Sequence, residues 1–374
     1  MELYIFNKDL ELKGILDTFT SLRWIRRYHK SGEFELHCAL NSDTLNLLQR
    51  ENIICKKGDD EAGYIETRRL RIDSTGQELL EIKGKFLTSY LRRRINWGQL
   101  IFNGKTEELM RKLVNDNCIS PANRALPNLI LGSLKNFDDT IQYQDSYGNI
   151  LSCLESISNT SNLGFKNILD MENQKIIFSV YKGIDRTVNN GAIAPCIFSR
   201  NFENILEQEY ADSLNNYKNT ALIAGAGEGK DRKLTSIEEG QGLNRYELYV
   251  DARDLQSTKQ VEKTGEDGNK TTEDVPMSDN EYIPMLLQRG KEKLAECYEV
   301  QALNSKINTQ GNNIYKKDFD LGDIVTIVDK KWGIQVDTRI TEVEEVYEGG
   351  KVEINSTFGN NIPTIIDKIK QVVR

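Results

Sequence analysis

The fold is decided by residues 24–40, which read WIRRYHKSGEFELHCAL. In the second half of this stretch, Phe34, Leu36 and Cys38 alternate with charged or polar residues, which is the period of a strand with one buried face. Residues 30–32 are Lys-Ser-Gly, and small polar residues with glycine favour a turn. The stretch therefore predicts a β-hairpin that turns at 30–32 and buries one face.

Strand-like segments continue on both sides of this hairpin, separated by turn-forming groups at 58–60 (GDD) and 74–76 (STG). The further strands predicted in this part of the chain are 3–6, 52–57, 63–73 and 78–87. Basic doublets, such as Arg26-Arg27, are expected on solvated strand faces. Several short strands at this spacing are typical of an antiparallel sandwich or barrel.

The pattern changes near residue 95, where helical periodicity begins. Leu109 and Leu113 lie on one face of a segment that starts at Thr106, whose hydroxyl can cap the first free amides. The elements predicted here are helices at 106–117 and 149–157 and strands at 164–169 and 175–181. Together they predict a small α+β insertion over 95–190.

From residue 191 the strand pattern returns. The predicted strands are 194–199, 203–212, 216–225, 243–251, 299–308, 323–329, 334–347 and 351–358. Residues 256–276 contain only Val261 and Val275 as aliphatic residues, which predicts an exposed loop. A helix is predicted after this loop, because Ser278 and Glu281 fit the reciprocal capping pattern S-x-x-E. A short closing helix is predicted after residue 361.

The composition excludes several classes of protein. The formal net charge of −8 argues against a protein that grips nucleic acid through its phosphates. No apolar run approaches the roughly 20 residues that cross a bilayer, so a membrane-spanning protein is excluded. The six cysteines show no C-x-x-C spacing, which predicts reduced and mostly buried thiols.

A search for catalytic, cofactor-binding or metal-ligating residues nominates none. The two histidines, His29 and His37, have no second histidine at metal-ligand spacing. The glycine-rich run 224–231 resembles a phosphate-binding loop, but Ala224 and Asp231 stand where that motif needs glycine and serine or threonine. A turn between antiparallel strands is the better prediction. The residues alone therefore indicate a β-rich protein with no cofactor, no metal and no visible active site.

Short motifs follow one another in order across residues 27–359. Their most prominent members are Arg27, Tyr28, Gly32, Glu33, Phe34, Asp185, Arg186, Tyr217, Lys218, Asn219, Asp251, Arg253, Gly322 and Asp323. In this order the motifs resemble those of phage tail hub proteins, the tail-associated proteins of siphoviruses and their prophage relatives. The resemblance covers nearly the whole chain and implies structural rather than catalytic roles for these residues.

The resemblance implies a fold that is mainly β with an α+β insertion, in which each chain contributes two tube-like antiparallel β-barrels plus small mixed domains. The implied domains are 1–94 (first barrel), 95–190 (insertion), 191–240 with 300–360 (second barrel) and 241–299 with 361–374 (peripheral domain). A homotrimer is also implied, because three chains with two barrels each would present six barrels to a six-fold tail tube.

The function implied by the resemblance is that of a structural tail-tip or baseplate hub, located in the virion tail and, during assembly, in the host cytoplasm. The expected partners are further copies of the chain, the distal tail or tail tube ring protein, the tape measure protein, and tip, fibre or lysin proteins. DNA is expected only in transit through a channel. No enzymatic activity and no cofactor are expected.

Two hypotheses about surfaces accompany this function. An acidic channel would repel DNA phosphates, and Arg68, Arg69 and Arg71 would contact the neighbouring ring. Two alternatives stay open on the sequence alone: a phage-encoded peptidase or glycosidase that degrades the cell wall, and a carbohydrate-binding adhesin. An adhesin would be expected to cluster exposed aromatic residues, whereas the three tryptophans are far apart along the chain.

Overall fold

The computed structural model of the chain describes residues 1–72, 74, 76–264 and 270–359. The protein is mainly β, with 46% of its residues in strands and 18% in helices, as the sequence predicts. The closing helix predicted after residue 361 lies outside the described residues. Among the helices of the described part, none has the length and apolar character needed to cross a membrane.

The described residues form 24 strands and four α-helices. The strands are β1 (Leu3–Phe6), β2 (Leu12–Leu16), β3 (Ser21–Arg27), β4 (Glu33–Ala39), β5 (Ile53–Lys56), β6 (Ala62–Ile72), β7 (Glu78–Phe86), β8 (Gln99–Lys105), β9 (Leu129–Leu131), β10 (Thr140–Ser146), β11 (Gly164–Asp170), β12 (Lys175–Tyr181), β13 (Asp185–Arg186), β14 (Ile197–Phe198), β15 (Ile205–Ser213), β16 (Thr220–Ala224), β17 (Leu234–Glu238), β18 (Glu247–Asp251), β19 (Thr258–Thr264), β20 (Lys270–Pro276), β21 (Val300–Ile307), β22 (Ile324–Asp329), β23 (Ile334–Glu348) and β24 (Lys351–Gly359). The α-helices are α1 (Ser42–Leu47), α2 (Thr106–Val114), α3 (Ile150–Ser161) and α4 (Asp279–Leu294). Three of these helices begin within one residue of their predicted starts.

One 14-stranded sheet contains strands from both the front and the back of the chain. Its main path runs β15-β21-β24-β23-β3-β4-β7-β6-β5-β1-β2, and β22 attaches β13 and β14 to it. The hairpin predicted within 24–40 is confirmed as β3 and β4, whose antiparallel register pairs Trp24 with Phe34. The front and back of the chain are joined by the antiparallel pair β3–β23.

This arrangement differs from two separately closed barrels. No sheet within the described ranges closes on itself. The reason is that β23 pairs with β22, β24 and also with β3 of the front half, so the strands of the back half do not return to β15. A single chain therefore presents an open, continuous sheet.

The strands around the β3–β23 joint have one apolar and one charged face. Trp24, Phe34 and Ile82 belong to one buried cluster, in which the Trp24 and Phe34 rings stack with centroids 5.6 Å apart. The opposite face carries the charged residues of the alternating pattern. A slip of one residue would turn that charged face inward, so the apolar residues set the strand register.

The insertion packs α2 and α3 against the three-stranded sheet β11-β12-β9, with the two-stranded pair β8–β10 beside them. Its core contains Leu109, Leu113, Leu154 and Phe178, which are all fully buried. The apolar stripe that predicts the first helix is therefore the face that packs on the sheet.

A third unit is formed by α4 and the three-stranded sheet β17-β16-β18. The carboxylate of Glu281 accepts from the N–H of Ser278 at 3.1 Å, as the capping pattern predicts. A Cβ added at Gly290 would lie 2.4 Å from a side-chain carbon of Ile223, so this glycine lets the helix approach the sheet closely.

The exposure predicted for 256–276 is confirmed for the described residues of this segment, but the prediction of a loop is wrong. The described residues of this segment form the antiparallel hairpin β19–β20. β-Branched threonines and valines occupy both strands, and Lys263 pairs with Glu273 across them. These residues favour extended structure even though the segment buries little apolar surface.

Candidate assembly surfaces

Several sequence motifs meet at a junction between three parts of the chain. Tyr28 follows β3 and is fully buried. Its hydroxyl donates to the carbonyl of Asn162, just after α3, at 2.9 Å and accepts from the N–H of Gly183 at 3.2 Å. Its ring packs edge-on against Tyr181, with centroids 5.2 Å apart. One side chain thus ties the front hairpin to the insertion.

Gly322 and Asp323 complete this junction from the back of the chain. Gly322 has a φ of +93°, and a Cβ there would lie 2.3 Å from the Tyr28 ring, so both backbone conformation and space require glycine. Asp323 accepts from Nε of Arg186 at 2.8 Å. The guanidinium of Arg339 lies 4.8 Å from the centre of the Tyr28 ring. We call this set the motif junction: Tyr28, Gly183, Arg186, Gly322, Asp323 and Arg339.

His29 adds a neutral contact beside the motif junction. The hydroxyl of Ser158 donates to the carbonyl of Leu163 at 2.5 Å, so the His29 Nδ1, 2.7 Å away, donates to that hydroxyl. Burial, followed by the positive charges of Arg339 and Lys30, lowers the pKa of His29 to about 3. The ring is therefore uncharged near neutral pH and positions the hairpin against α3.

A cluster of charged residues is buried under the same sheet. Arg26 is 3% exposed, and it pairs through Nε with Glu61 at 2.6 Å and through Nη1 with Asp320 at 2.7 Å. Its Nη1 also donates to the Tyr315 hydroxyl at 2.8 Å. The prediction of a solvated face is therefore wrong for Arg26, because successive residues of a strand point to opposite faces and only Arg27 lies on the charged one.

Lys56 and Glu345 extend this cluster. The Lys56 ammonium bonds Glu345 and also reaches a carboxylate oxygen of Asp59 at 3.0 Å, which Lys316 contacts at 3.0 Å as well. Burial alone would raise the pKa of Asp59, but Lys56, Lys316 and Arg26 hold it well below its ordinary value. The buried charge cluster consists of Arg26, Lys56, Asp59, Glu61 and Glu345, which Lys316 and Asp320, 35% and 45% exposed, join from the surface. It links the front strands to β23 and the segment before β22.

The exposed face of the same strands carries a ladder of ion pairs. Arg23 contacts Glu344 of β23 at 2.5 Å and Glu35 of β4 at 3.9 Å. Lys83 of β7 then bonds Glu35 at 3.2 Å and Glu81 at 3.1 Å. We call this face the charge ladder. Because acids and bases alternate between neighbouring strands, the face is paired rather than predominantly acidic.

One group within the charge ladder has metal-ligand chemistry. Glu35, His37 and Glu81 place potential ligand atoms within 4.8 Å of one another. His37 lies 2.8 Å from Glu35, and the Lys83 ammonium already bridges both carboxylates. A cation would have to displace that ammonium, so the geometry favours an ion-pair ladder.

Within the described residues, the main path of the large sheet ends at β15 and β2, and the outer half of β6 also lacks a partner strand on one side. The outer half of β6, residues 67–72, pairs with β7, whereas β5 pairs only with residues 62–64 of this strand. At the far end of the path, β15 pairs with β21. Unpaired backbone groups along such edges are templates for another strand.

The free edges of β6 and β15 differ in charge. Arg69 and Arg71 are exposed on the edge of β6, and Glu207 and Glu209 are exposed on β15. Arg68 is half-buried, and it donates to a side chain and a carbonyl near α1. Of the three arginines singled out in the sequence, Arg69 and Arg71 are therefore the ones that face outward.

Asp185 lies beside Arg186 on β13, next to the motif junction, and the remaining motif residues lie in two further places. Gly32, Glu33 and Phe34 shape the β3–β4 hairpin, where Glu33 pairs with Arg27 at 2.8 Å. The second group surrounds the β16–β18 sheet and consists of Tyr217, Lys218, Asn219, Asp251 and Arg253. The structure therefore brings together only part of the motif set.

The sequence did not single out the acidic members and lysines of the buried charge cluster. The sequence contained one signal for this cluster, since Lys56 directly follows the apolar run Ile53-Ile54-Cys55. In the structure all four of these residues are buried. A charge at the end of a buried strand needs a partner. The sequence around Lys56 does not show that this partner is Glu345, since Glu345 lies on β23, a strand from the other end of the chain.

The glycine-rich run and the three tryptophans, which were considered for other functions, lie in different parts of the structure. The glycine-rich run 224–231 connects the antiparallel strands β16 and β17, which confirms the predicted turn. Trp24 is buried, Trp332 lies under the guanidinium of Arg200 at 4.9 Å, and Trp97 is exposed on the insertion. The three tryptophans therefore do not form one platform.

The fold is shared with solved tail proteins. The tail protein from Neisseria meningitidis has a TM-score of 0.57 at 13% identity, with 96% of each chain covered. The 43 kDa tail protein of prophage MuSo2 from Shewanella oneidensis has a TM-score of 0.55 at 10% identity, covering 96% of this chain and 98% of that one. For the prophage tail protein gp18 from Listeria monocytogenes the TM-score is 0.55 at 12% identity, covering 100% and 98%. The fold is thus that of phage tail proteins.

A family model described as Siphovirus ReqiPepy6 Gp37-like protein matches residues 2–360. The chain belongs to this family, and the resemblance to siphovirus tail proteins drawn from its motifs is confirmed. Direct comparison with curated proteins finds no match.

Proposed function

We propose that this protein is the structural hub at the tip or baseplate of a phage tail, a homotrimeric ring that adapts a six-fold tube to a three-fold tip around a channel for DNA. Its family and its tail-protein fold support a structural role in the tail. The observation that carries the finer proposal is an unbroken run of eight strands, from β15 to β6, in which, within the described residues, β15 and the outer half of β6 each lack a partner strand on one side.

The run consists of two groups of four strands. The strands β15, β21, β24 and β23 come from the back of the chain, and β3, β4, β7 and β6 come from the front. In the proposal each group is the inner wall of one tube-like unit, and neighbouring copies complete the barrels that a single chain leaves open. Three chains would supply six such walls, with the 95–190 insertion outside them.

Ring closure requires two different surfaces of each copy to meet. Pairing the outer half of β6 with β15 of the next copy would satisfy the backbone groups of both edges. It would also bring Arg69 and Arg71 to Glu207 and Glu209, and such complementary charges favour the correct partner. The arginines would then contact the neighbouring subunit of the same ring, instead of the neighbouring ring expected from the sequence.

In this arrangement the charge ladder faces the channel. Its acids and bases neutralise one another across the strands, so DNA in transit would meet a balanced surface instead of the acidic one expected from the sequence. The other partners would be the tail tube ring, the tape measure protein and the tip proteins.

Charge reversal at one edge tests the ring. Arg69→Glu combined with Arg71→Glu should yield a folded monomer where the unmodified protein is a trimer, because like charges would face each other across the joint. Adding Glu207→Arg and Glu209→Arg to the same chain should restore the trimer, since the edges become complementary again. Light scattering after size exclusion gives the mass, and negative-stain imaging shows whether a three-lobed annulus forms.

The matched control is Lys330→Glu with Lys331→Glu, an exposed basic pair at the turn between β22 and β23. This variant should remain trimeric. An unmodified protein that stays monomeric overturns the ring, whereas a trimer that survives reversal at Arg69 and Arg71 overturns only the assignment of the edges.

A further inference from the structure

An apolar patch on the insertion has no role in the ring. Ile95, Trp97 and Tyr147 are 39%, 73% and 59% exposed. An isolated bridge between Ile95 and Asn149 holds their two chain segments together. Trp97 and Tyr147 meet edge-on with ring centroids 5.7 Å apart. Exposed apolar groups gathered in this way mark interaction sites, unlike single exposed side chains.

The backbone holds this patch in a defined shape. The side-chain amide of Asn96, which is buried, donates to the Asp145 carboxylate at 2.9 Å, and the N–H of Trp97 donates to the buried Asn117 at 3.1 Å. Tyr147 has a φ of +61°, in the left-handed region that residues with side chains rarely adopt. Such conformations persist where surrounding contacts enforce them and are frequent at functional sites. A preorganised surface loses less entropy on binding.

Two arginines frame the patch. Arg124 donates through Nη2 to the carbonyl of Ile95 at 2.5 Å, and Arg94 donates through Nε to the carbonyl of Arg124 at 2.5 Å. Within the described residues neither guanidinium forms an ion pair with a carboxylate. The sequence neighbours Arg92 and Arg93, by contrast, each pair with a glutamate. The patch therefore has a positive rim that the described part of the chain does not neutralise.

We propose that the surface formed by Ile95, Trp97 and Tyr147, with its rim of Arg94 and Arg124, docks an acidic segment of another tail protein that packs an apolar side chain against the two rings. Exposed tryptophan and tyrosine are the residue types that anchor interfaces. Guanidinium groups supply the geometry that carboxylates accept. The inference rests on the proposed tail function, because it draws its partner from the assembled tail, but it does not depend on how the ring closes.

The test uses purified tails in which a photo-crosslinking phenylalanine derivative replaces Tyr147. Mass spectrometry of the crosslinked peptides identifies the contacted segment. We expect a segment of a different tail protein with net negative charge and at least one large apolar residue. Hydroxyl-radical labelling of Trp97 should also be several-fold weaker in tails than in the isolated protein.

Substitutions in the patch and its rim distinguish the effect of losing a contact or a charge from the effect of unfolding the insertion. Trp97→Ala and Arg124→Gln should each lower the crosslink yield several-fold, whereas Arg124→Lys, which keeps the positive charge, should retain most of it. Thermal unfolding of each variant shows whether the insertion remains folded. The control is Leu243→Ala, which alters a residue that is 97% exposed near the β16–β18 sheet and should leave the yield unchanged.

Trp97 labelling that is equal in tails and in the isolated protein overturns this inference and leaves the proposed function standing. Crosslinks to a neutral or basic segment, to a saccharide or to a second copy of this chain also overturn it. If the protein is absent from tails, the proposed function fails and the inference fails with it.

Discussion

Both faces of the β3–β23 joint carry arginine–carboxylate ion pairs, but these pairs have different roles because one face is buried and the other is exposed. On the buried face, Arg26 is 3% exposed and pairs with Glu61 and Asp320. On the other face, Arg23 is 50% exposed and pairs with Glu344. Removing one partner of a buried pair leaves an unpaired charge without water, whereas an exposed pair loses little. The buried charges therefore specify how the front and back of the chain fit together, and the exposed ones keep a surface neutral.

The largest effect is expected from breaking the buried side of this comparison. Arg26→Met should lower the free energy of unfolding by about 3–5 kcal/mol, because Glu61 is left buried without its cation. Urea denaturation followed by circular dichroism measures this loss. Arg27→Met, one residue along the strand on the opposite face, should cost less, about 1 kcal/mol, because its partners Glu33 and Glu342 are 39% and 27% exposed and keep access to water. Equal losses at the two positions would contradict the contrast between the faces.

Lowering the pH should destabilise the protein through two groups, Asp59 and His29. The pKa of Asp59 is held below its ordinary value, so its contribution is complete above about pH 4 and is lost as the pH falls through the folded pKa. His29 acts in the same direction at higher pH, because the unfolded ring takes a proton near about pH 6.5. The folded ring takes one only near pH 3. The free energy of unfolding should fall by up to about 1.4 kcal/mol per pH unit for each of these groups.

Denaturation curves from about pH 7.5 down to about pH 2 measure this slope, and His29→Gln isolates the part above about pH 4. That variant cannot take up the extra proton on unfolding, so its stability should change less across this range. An unaltered slope in His29→Gln would rule out the buried neutral ring.

The smallest effect is expected on the charge ladder. Arg23→Gln should change the free energy of unfolding by about 0.5 kcal/mol or less at low salt, because its carboxylate partners remain hydrated. At about 1 M salt, where the screening length is about 3 Å, the difference should vanish. A loss of several kcal/mol, or one insensitive to salt, would show that this face is buried by another surface.

The local sequence pattern was sufficient to predict the elements whose formation depends on residues close together in the chain. The β3–β4 hairpin, α2 and the start of α4 follow from alternation, an apolar stripe and a capping pair, which all act within a few residues. The hairpin β19–β20 was missed, because its composition indicates exposure and its register depends on pairs such as Lys263 with Glu273. Composition shows how much a segment buries, not whether it is extended.

The motif junction shows a different limit. The order of the motifs was sufficient to identify the family, but it did not show that Tyr28 packs over Gly322 or that Arg186 pairs with Asp323. These residues are far apart along the chain. Their contacts exist only after the insertion and the back strands have folded onto the front hairpin.

By itself the sequence determined the β-rich character, the starts of three of the four described α-helices and the tail-protein family, because periodicity, capping and motif order are written in contiguous residues. Only the tertiary structure decided that β3 pairs with β23, that Arg26 is buried while Arg27 lies half-buried on the opposite face, and that opposite charges lie on the free edges of β6 and β15. Each of these depends on which distant strand lies alongside and which face it covers. That choice is made by the packing of the whole chain, and no short stretch encodes it.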